Sequence, residues 1–189
     1  MSQTIRSFVA FDIDNQLVLQ RLGEAQGTLT KTGADLSLVK PQNIHITLRF
    51  LGDITPVMVE RIDKEMQGII FSPFEAEIKG VGVFPNLSYP RVVWAGILQG
   101  AEELRKVFEQ LEPRLRQLGF APDNKGFSPH LTIARVRSGQ KKQELADCVN
   151  ELSSFEFGKV HADCLMLKKS ILTPQGPIYS TLKETHARE

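Results

Sequence analysis

Two histidines, each followed two positions later by a threonine, are the residues whose types and spacing best suit catalysis in this sequence. His45 precedes Thr47, and 85 positions further on His130 precedes Thr132. Imidazole titrates near neutral pH, so one ring can deprotonate a nucleophile while another protonates a leaving oxygen. Threonine hydroxyls can donate hydrogen bonds to phosphate oxygens, and a nearby guanidinium can stabilise the added charge of the transition state. The pattern predicts phosphodiester chemistry with no metal ion and no cofactor.

Each histidine–threonine pair lies in a segment whose apolar and polar residues alternate, as they do in a half-buried strand. Side chains alternate across a strand, so His45 and Thr47 project from one face about 7 Å apart. Strict alternation adds Arg49 to that face and places Phe50 on the apolar face. The segment around His130 alternates in the same way. We therefore expect both pairs to face away from the core.

Two arginines are candidates for the cation that binds phosphate. Arg49 has the correct parity, although a solvated strand residue is an equally good interpretation of it. Arg135 follows the second motif, but alternation from His130 places it on the core face. It reaches the site only around the end of the strand or through a bulge near Ala134.

Aromatic and basic residues elsewhere suggest contacts with a nucleic acid. Phe11 and Trp94 are candidates for stacking on a nucleobase, with packing in the core as the alternative. The segment 131–143 contains four cations and no acid, which predicts either a track for an RNA backbone or the solvated start of a helix. These cations are Arg135, Arg137, Lys141 and Lys142.

Strands and helices alternate along the chain, which indicates an α/β or α+β class. Asp14 or Asn15 and the dipeptide Thr55–Pro56 are signals for the starts of helices. Each histidine motif leads into a turn and a helix, which suggests two duplicated halves related by a pseudo-twofold axis. The residue patterns predict strands near 7–13, 74–78, 92–97, 160–167 and 178–182, helices near 17–29, 56–69, 104–118 and 141–152, and a loop at 80–90.

The composition excludes several classes of protein. With 41% hydrophobic residues among 189, the chain is not intrinsically disordered. Its 23 basic and 22 acidic residues leave a net charge of +1, too little to coat a nucleic acid duplex. Two cysteines are too few for a disulfide scaffold, no apolar run could span a membrane, and Asp12 interrupts any signal-peptide core. We predict a single domain, 1–189, acting as a cytoplasmic monomer.

Taken together, the motifs resemble the two-histidine (2H) phosphoesterase superfamily, whose signature is a pair of His-x-(Thr/Ser)-x motifs. The sequences of the motifs are most similar to those of one branch of this superfamily, the RNA 2′,3′-cyclic phosphodiesterases, first named 2′-5′ RNA ligases. The resemblance covers about residues 5–184. The matching segments are FVAFD at 8–12, HITLRFLG at 45–52, RVVW at 91–94, FSPHLTIAR at 127–135 and YSTL at 179–182.

This resemblance implies a bilobal, pseudo-twofold α+β fold in which two antiparallel sheets flank a central cleft, with helices outside. The implied reaction is hydrolysis of RNA 2′,3′-cyclic phosphate ends to 2′-phosphates, without a metal. His45 would be the proton donor and His130 the proton acceptor, although the two roles can be exchanged because the motifs are nearly equivalent. Thr47 and Thr132 would hold the phosphate. The family also places a phosphate-contacting arginine at the position of Arg135.

Other activities remain open at this point. The same chemistry with a ribose hydroxyl in place of water is 2′-5′ RNA ligation, for example of tRNA halves. The substrate could also be a small cyclic nucleotide. A catalytically silent RNA-binding module is disfavoured because both histidines are intact. A metal hydrolase that uses His45 and His130 as ligands is disfavoured because neither motif contains a carboxylate.

Overall fold

The computed structural model describes residues 4–188, which form nine strands, four α-helices and one 3₁₀ turn. In chain order these are β1 (Ile5–Asp12), α1 (Gln16–Thr30), β2 (Leu36–Leu38), the 3₁₀ turn (Pro41–Asn43), β3 (His45–Ile54), α2 (Pro56–Met66), β4 (Phe74–Phe84), β5 (Val92–Ile97), α3 (Ala101–Gln117), β6 (His130–Val136), α4 (Lys142–Glu151), β7 (Glu156–Ala162), β8 (Cys164–Thr173) and β9 (Gly176–His186).

The first two helices begin where the sequence predicts. The Asn15 side chain accepts a hydrogen bond from the backbone N–H of Leu17 at 3.0 Å, and Thr55 caps α2 in the same way with Pro56 in its first turn. Two predictions need correction. Strand β4 continues to Phe84 and so includes half of the expected loop at 80–90. The strand expected near 160–167 is divided between β7 and β8.

All strand pairings are antiparallel, in the order β7-β4-β5-β6-β3-β1-β8-β9, with β2 added beside β6. The two strands that contain histidine motifs, β3 and β6, are therefore neighbours. They join at one registered pair, Ile46 opposite Leu131. The α+β class is confirmed, and the two expected sheets meet here to form one curled sheet.

A β-bulge interrupts β3 directly after its histidine–threonine pair. Thr47 lies opposite Ala10 of β1, and Arg49 lies opposite Val9, so two successive residues of β1 face three of β3. Leu48 is the extra residue. A bulge of this kind reverses the alternation of side chains beyond it.

Strand β6 has a bulge at the corresponding place. Thr132 lies opposite Trp94 of β5 and Ala134 lies opposite Val93, which leaves Ile133 as the extra residue. Both bulges thus fall three positions after the motif histidine. In each strand they change the face from which the following residues project.

The helices cover the apolar side of the sheet. Helices α1 and α4 pack over the half that contains β4, β6 and β7, and α2 and α3 pack over β3 and β9. Fully buried leucines and isoleucines of these helices, such as Leu22, Ile62 and Leu111, meet Ile46 and Leu131 in one core. The histidine–threonine pairs are consequently left on the other face. Within residues 4–188, no helix is long and apolar enough to cross a membrane.

Candidate active site

A cavity of about 760 Å³ opens on the face of the sheet that carries the motif side chains. Its lining contains His45 and Thr47 of β3 together with His130 and Thr132 of β6. The junction of β3 and β6 places the two pairs side by side, because Ile46 and Leu131 are the residues between each histidine and its threonine. The structure therefore brings together the four residues that the sequence singled out.

Both imidazoles are oriented by the same local contact. Nδ1 of His45 lies 2.7 Å from the carbonyl oxygen of Asn43, and Nδ1 of His130 lies 2.7 Å from that of Ser128. A carbonyl oxygen can only accept, so each Nδ1 must carry the proton and donate it. Nε2 of each ring is left free of this bond. A neutral ring can then accept a proton at Nε2, and a protonated ring can donate one there.

Aromatic side chains enclose His45. Phe8 of β1 stacks on the imidazole with ring centroids 4.8 Å apart, and Tyr179 of β9 meets it edge-on at 5.3 Å. This burial lowers the pKa of His45 from 6.5 to about 4, against the opposing effects of the Asn43 hydrogen bond and the Asp12 carboxylate. His45 is therefore a neutral base at pH 7 in the free protein.

His130 has a related but less enclosed environment. Phe84 of β4 meets its ring edge-on at 5.0 Å. Burial lowers the pKa of His130, and the positive charge of Arg135 lowers it further, while the hydrogen bond to Ser128 raises it. The surroundings of both imidazoles therefore favour the neutral ring.

Arg135 lines the cavity, as the bulge at Ile133 allows. Its positive charge lowers the pKa of His130 and also acts to lower that of Tyr179, two other residues of the cavity lining. The conflict between the parity of Arg135 and its expected role is therefore resolved by the bulge. A guanidinium at this position can balance the charge of a phosphate held by the threonines.

The bulge at Leu48 turns Arg49 away from the cavity. The expectation that Arg49 shares a face with His45 and Thr47 is therefore wrong. Arg49 turns toward α3, where its Nε lies 3.0 Å from Oε2 of Glu112 and Nη2 donates to the carbonyl of Ala121. It does not line the cavity. Phe50 takes its place there and is 62% exposed, so the expectation that Phe50 packs in the core is also wrong.

Phe11 is a second correction. Its ring is 2% exposed and packs edge-on against Phe71 and Phe74 in the core, so it cannot meet a substrate. The aromatic residue of β1 that faces the cavity is Phe8. Trp94 packs against Phe84 and is likewise absent from the cavity lining. Packing in the core was the alternative interpretation of Phe11, and it holds.

Several lining residues were not found from the sequence. Phe8, Tyr179, Arg6 and Lys40 come from β1, β9 and the link after β2. The alternation in β1 contains a signal, because Phe8 shares parity with Ala10 and Asp12 while Phe11 belongs to the apolar set. That signal identifies a face only when the pairing of β1 with β3 is known, and no pattern in either strand specifies the register.

The expected basic track at 131–143 is divided by the fold. Arg135 and Arg137 line the cavity, whereas Lys141 lies outside it and pairs with Glu144 at 2.9 Å. Lys142 also lies outside the cavity, in the first turn of α4. Only the half of the track that belongs to β6 is therefore part of the site.

One group of side chains in the described residues has the spacing of metal ligands. Cys164, Glu184 and His186, on β8 and β9, offer ligand atoms that lie within 4.8 Å of one another. Sulfur, carboxylate and imidazole together suit a zinc ion. Neither His45 nor His130 belongs to such a group within residues 4–188. The cavity lining itself offers imidazoles, hydroxyls, three guanidinium groups and one ammonium group.

This fold and cavity define an enzyme that acts on phosphate esters. The chain belongs to the family of LigT-like phosphoesterases, whose model matches residues 13–94 and again residues 98–179. The two matched segments are displaced by 85 positions, which is also the separation of His45 from His130. Membership of the family that the motifs resemble is thereby confirmed.

Curated relatives and solved structures agree with this family. An Aeropyrum pernix protein named RNA 2′,3′-cyclic phosphodiesterase is 38% identical over 167 residues, which cover 88% of this chain and 95% of that protein. An Aquifex aeolicus protein of the same name is 35% identical and covers 96% and 97%. A Thermus thermophilus structure superimposes with a TM-score of 0.80 at 26% identity, covering 97% and 98% of the two chains. The structure of E. coli LigT complexed with 3′-AMP superimposes with a TM-score of 0.79 at 20% identity, covering 99% of this chain and 100% of that chain.

Proposed function

We propose that this enzyme hydrolyses 2′,3′-cyclic phosphates at RNA 3′ ends to 2′-phosphates, without a metal ion. The observation that carries the proposal is the matched pair of imidazoles, each fixed by an Nδ1 hydrogen bond to the carbonyl two residues before it and each facing one cavity. The names of the relatives supply the substrate class. We also infer that the two halves are pseudo-symmetric lobes of one domain, since the family model matches each half. We propose that this domain acts as a monomer, since both imidazoles come from this chain, and that it is cytoplasmic.

The proposed reaction needs one proton acceptor and one proton donor on opposite sides of the phosphorus. Nε2 of neutral His130 takes a proton from water as the water oxygen bonds to phosphorus. The bond between phosphorus and O3′ then breaks, and Nε2–H of protonated His45 gives its proton to O3′. Thr47 and Thr132 donate hydrogen bonds to the non-bridging oxygens, and Arg135 balances the charge. The product carries a 2′-phosphate, and proton exchange with solvent restores both rings.

The charges nearest each ring support this division of roles. The Asp12 carboxylate favours a proton on His45, although Lys168, which pairs with Asp12, partly offsets it. The guanidinium of Arg135 disfavours a proton on His130. Burial acts in the other direction and holds the lower pKa on His45. Binding of an anionic phosphate in place of water counters that burial effect, because a nearby negative charge favours imidazolium.

The activity is tested with an oligonucleotide that ends in a 2′,3′-cyclic phosphate, incubated with the enzyme and a chelator. We expect a 2′-phosphate, identified by mass spectrometry and ³¹P NMR. His45→Ala and His130→Ala should each slow the reaction by about two to four orders of magnitude. His161→Ala is the matched control, because His161 is exposed on β7 and outside the cavity. No product, or product only after metal is added, would refute the proposal.

The roles of the two histidines can be separated with a substrate whose bridging 3′ oxygen is replaced by sulfur. A thiolate leaves without protonation, so the loss of a proton donor matters little. His45→Ala should then recover most of its rate on the sulfur substrate, whereas His130→Ala should remain slow. The reverse result would exchange donor and acceptor.

Ligation is the second candidate function, since it is the same displacement with a ribose hydroxyl as nucleophile. The Phe50 and Tyr179 side chains that line the cavity leave an apolar surface suited to a second nucleoside. Adding RNA with a free 5′ hydroxyl to the hydrolysis assay tests this activity. Formation of a 2′-5′ linkage at a rate comparable with hydrolysis would support it, and hydrolysis alone would exclude it.

A further inference from the structure

The cavity contains more positive charge than one cyclic phosphate requires. Four of its lining residues are cations and none is a carboxylate. Within residues 4–188, none of the four forms an ion pair. A cyclic phosphate carries a single negative charge, whereas a chain of nucleotides carries one per linkage. The four cations are Arg6, Lys40, Arg135 and Arg137.

Three of these cations follow the paired strands β2 and β6. Arg135 lies opposite Ser37, and Arg137 follows two positions later, so the two side chains leave β6 about 7 Å apart on the cavity side. Lys40 lies at the other end of β2, where the N–H of Val39 donates to the carbonyl of Ile133. The line of cations therefore runs past the reacting phosphate in two directions.

The two directions differ in what borders the cavity. Beyond Lys40, the 3₁₀ turn is tied to the start of β9 by a hydrogen bond of 2.8 Å from Asn43 Nδ2 to the carbonyl of Pro177. Pro174 and Gln175 of the β8–β9 loop line the cavity there. Beyond Arg137, in contrast, residues 138–140 are exposed. This exposed segment gives a longer RNA chain a path out of the cavity beside Arg137.

We propose that Arg137 binds the phosphodiester one nucleotide before the reacting cyclic phosphate, so that the enzyme favours a chain end over a free cyclic mononucleotide. This inference rests on the proposed function. The backbone carbonyl of Asp35 accepts the N–H of Arg137 at 2.9 Å. Its carboxylate neither lines the cavity nor pairs with Arg137. The guanidinium of Arg137 thus stays available to an anion.

The test compares three substrates that share a terminal cyclic phosphate. They are adenosine 2′,3′-cyclic phosphate, a dinucleotide with an ordinary linkage, and the same dinucleotide with an uncharged methylphosphonate linkage. We expect kcat/KM to be highest for the charged dinucleotide. Arg137→Ala should lower the preference of the enzyme for the charged dinucleotide over the mononucleotide, measured as the ratio of their kcat/KM values, about fivefold. This is the effect of losing an exposed ion pair of about 1 kcal/mol. Arg137→Lys should restore much of that preference.

Two controls make the result specific. The methylphosphonate should lose the same preference in the unmodified enzyme, and Arg137→Ala should cause no further loss with it, as expected when one interaction has been removed from either side. Lys40→Ala, a change of another cation in the same cavity, should leave the preference unchanged. The proposal is overturned if Arg137→Ala leaves the preference intact, if it acts equally on both linkages, or if Lys40 governs the preference. Failure of all three substrates to react would instead refute the proposed function.

Discussion

Replacing Phe8 by alanine should raise the pKa of His45. The Phe8 ring covers the imidazole at 4.8 Å, and burial is the main reason for the pKa of about 4. Holding the pKa this far below 6.5 corresponds to about 3 kcal/mol against the protonated ring. Alanine removes one of the two aromatic walls, so we expect the pKa to rise by about 1 unit or more, while the Tyr179 wall prevents full recovery.

The pKa is measured by following the imidazole Cε1–H resonance of His45 in NMR spectra between pH 3 and 8. Assignment is straightforward because the chain has four histidines and each can be replaced in turn. Phe8→Leu is the matched variant, since leucine keeps an apolar cover and should leave the pKa low. An unchanged pKa in Phe8→Ala would show that Phe8 does not cause the shift. A pKa near 6.5 in the unmodified enzyme would show that burial does not lower the pKa of His45.

The same change affects stability in a pH-dependent way. The pKa of His45 is lower in the folded chain than in the unfolded chain, so the unfolded state binds more protons between pH 4 and 6.5. The free energy of unfolding therefore rises with pH across this window. Phe8→Ala should flatten that rise, although loss of a buried ring lowers stability at every pH by about 3 kcal/mol. Urea denaturation at pH 4.5 and 7.5 measures both effects.

The site supports four further predictions. Because burial lowers the pKa of both histidines and one must be protonated, kcat/KM should fall about tenfold per pH unit above pH 6.5; a flat profile up to pH 8.5 would contradict this. Arg49→Ala should lower the free energy of unfolding in urea by about 2 kcal/mol, because it removes one of the two arginines that pair with the buried Glu112 carboxylate, and should leave kcat intact. Arg135→Ala should instead lower kcat and leave the free energy of unfolding nearly unchanged. Equal effects of the two variants on kcat and stability would contradict the placement of Arg135, and not Arg49, in the active site. Asn43→Ala should cost about 1 kcal/mol of stability in the same assay, because it removes the hydrogen bond to Pro177.

The sequence predicted those parts of the site that depend on local alternation. His45 and Thr47 share a face because they are two residues apart in one regular strand, and the same is true of His130 and Thr132. Helix starts at Asn15 and Thr55 depend on equally local signals. These features need no information about neighbouring strands.

Residues beyond each bulge could not be predicted in this way. Arg49 and Phe50 exchanged their expected faces because Leu48 is an extra residue relative to β1, and this depends on how two distant segments pair. Tyr179 reaches His45 from β9, which is separated from it by more than 130 positions and by two intervening strands. Such contacts are consequences of sheet register, which the pattern within a single strand does not specify.

The two bulges also make the two halves of the cavity chemically different. Phe50 and Arg135 each stand five positions after a motif histidine, and each is turned into the cavity by the bulge before it. If both positions held the same residue, two equivalent half-sites would accept a ring phosphate in either orientation. An aromatic ring on one side and a guanidinium on the other make these orientations unequal. One pair of unlike residues can thereby impose regioselectivity, so that the 2′ and 3′ oxygens of a nearly symmetric ester meet different partners.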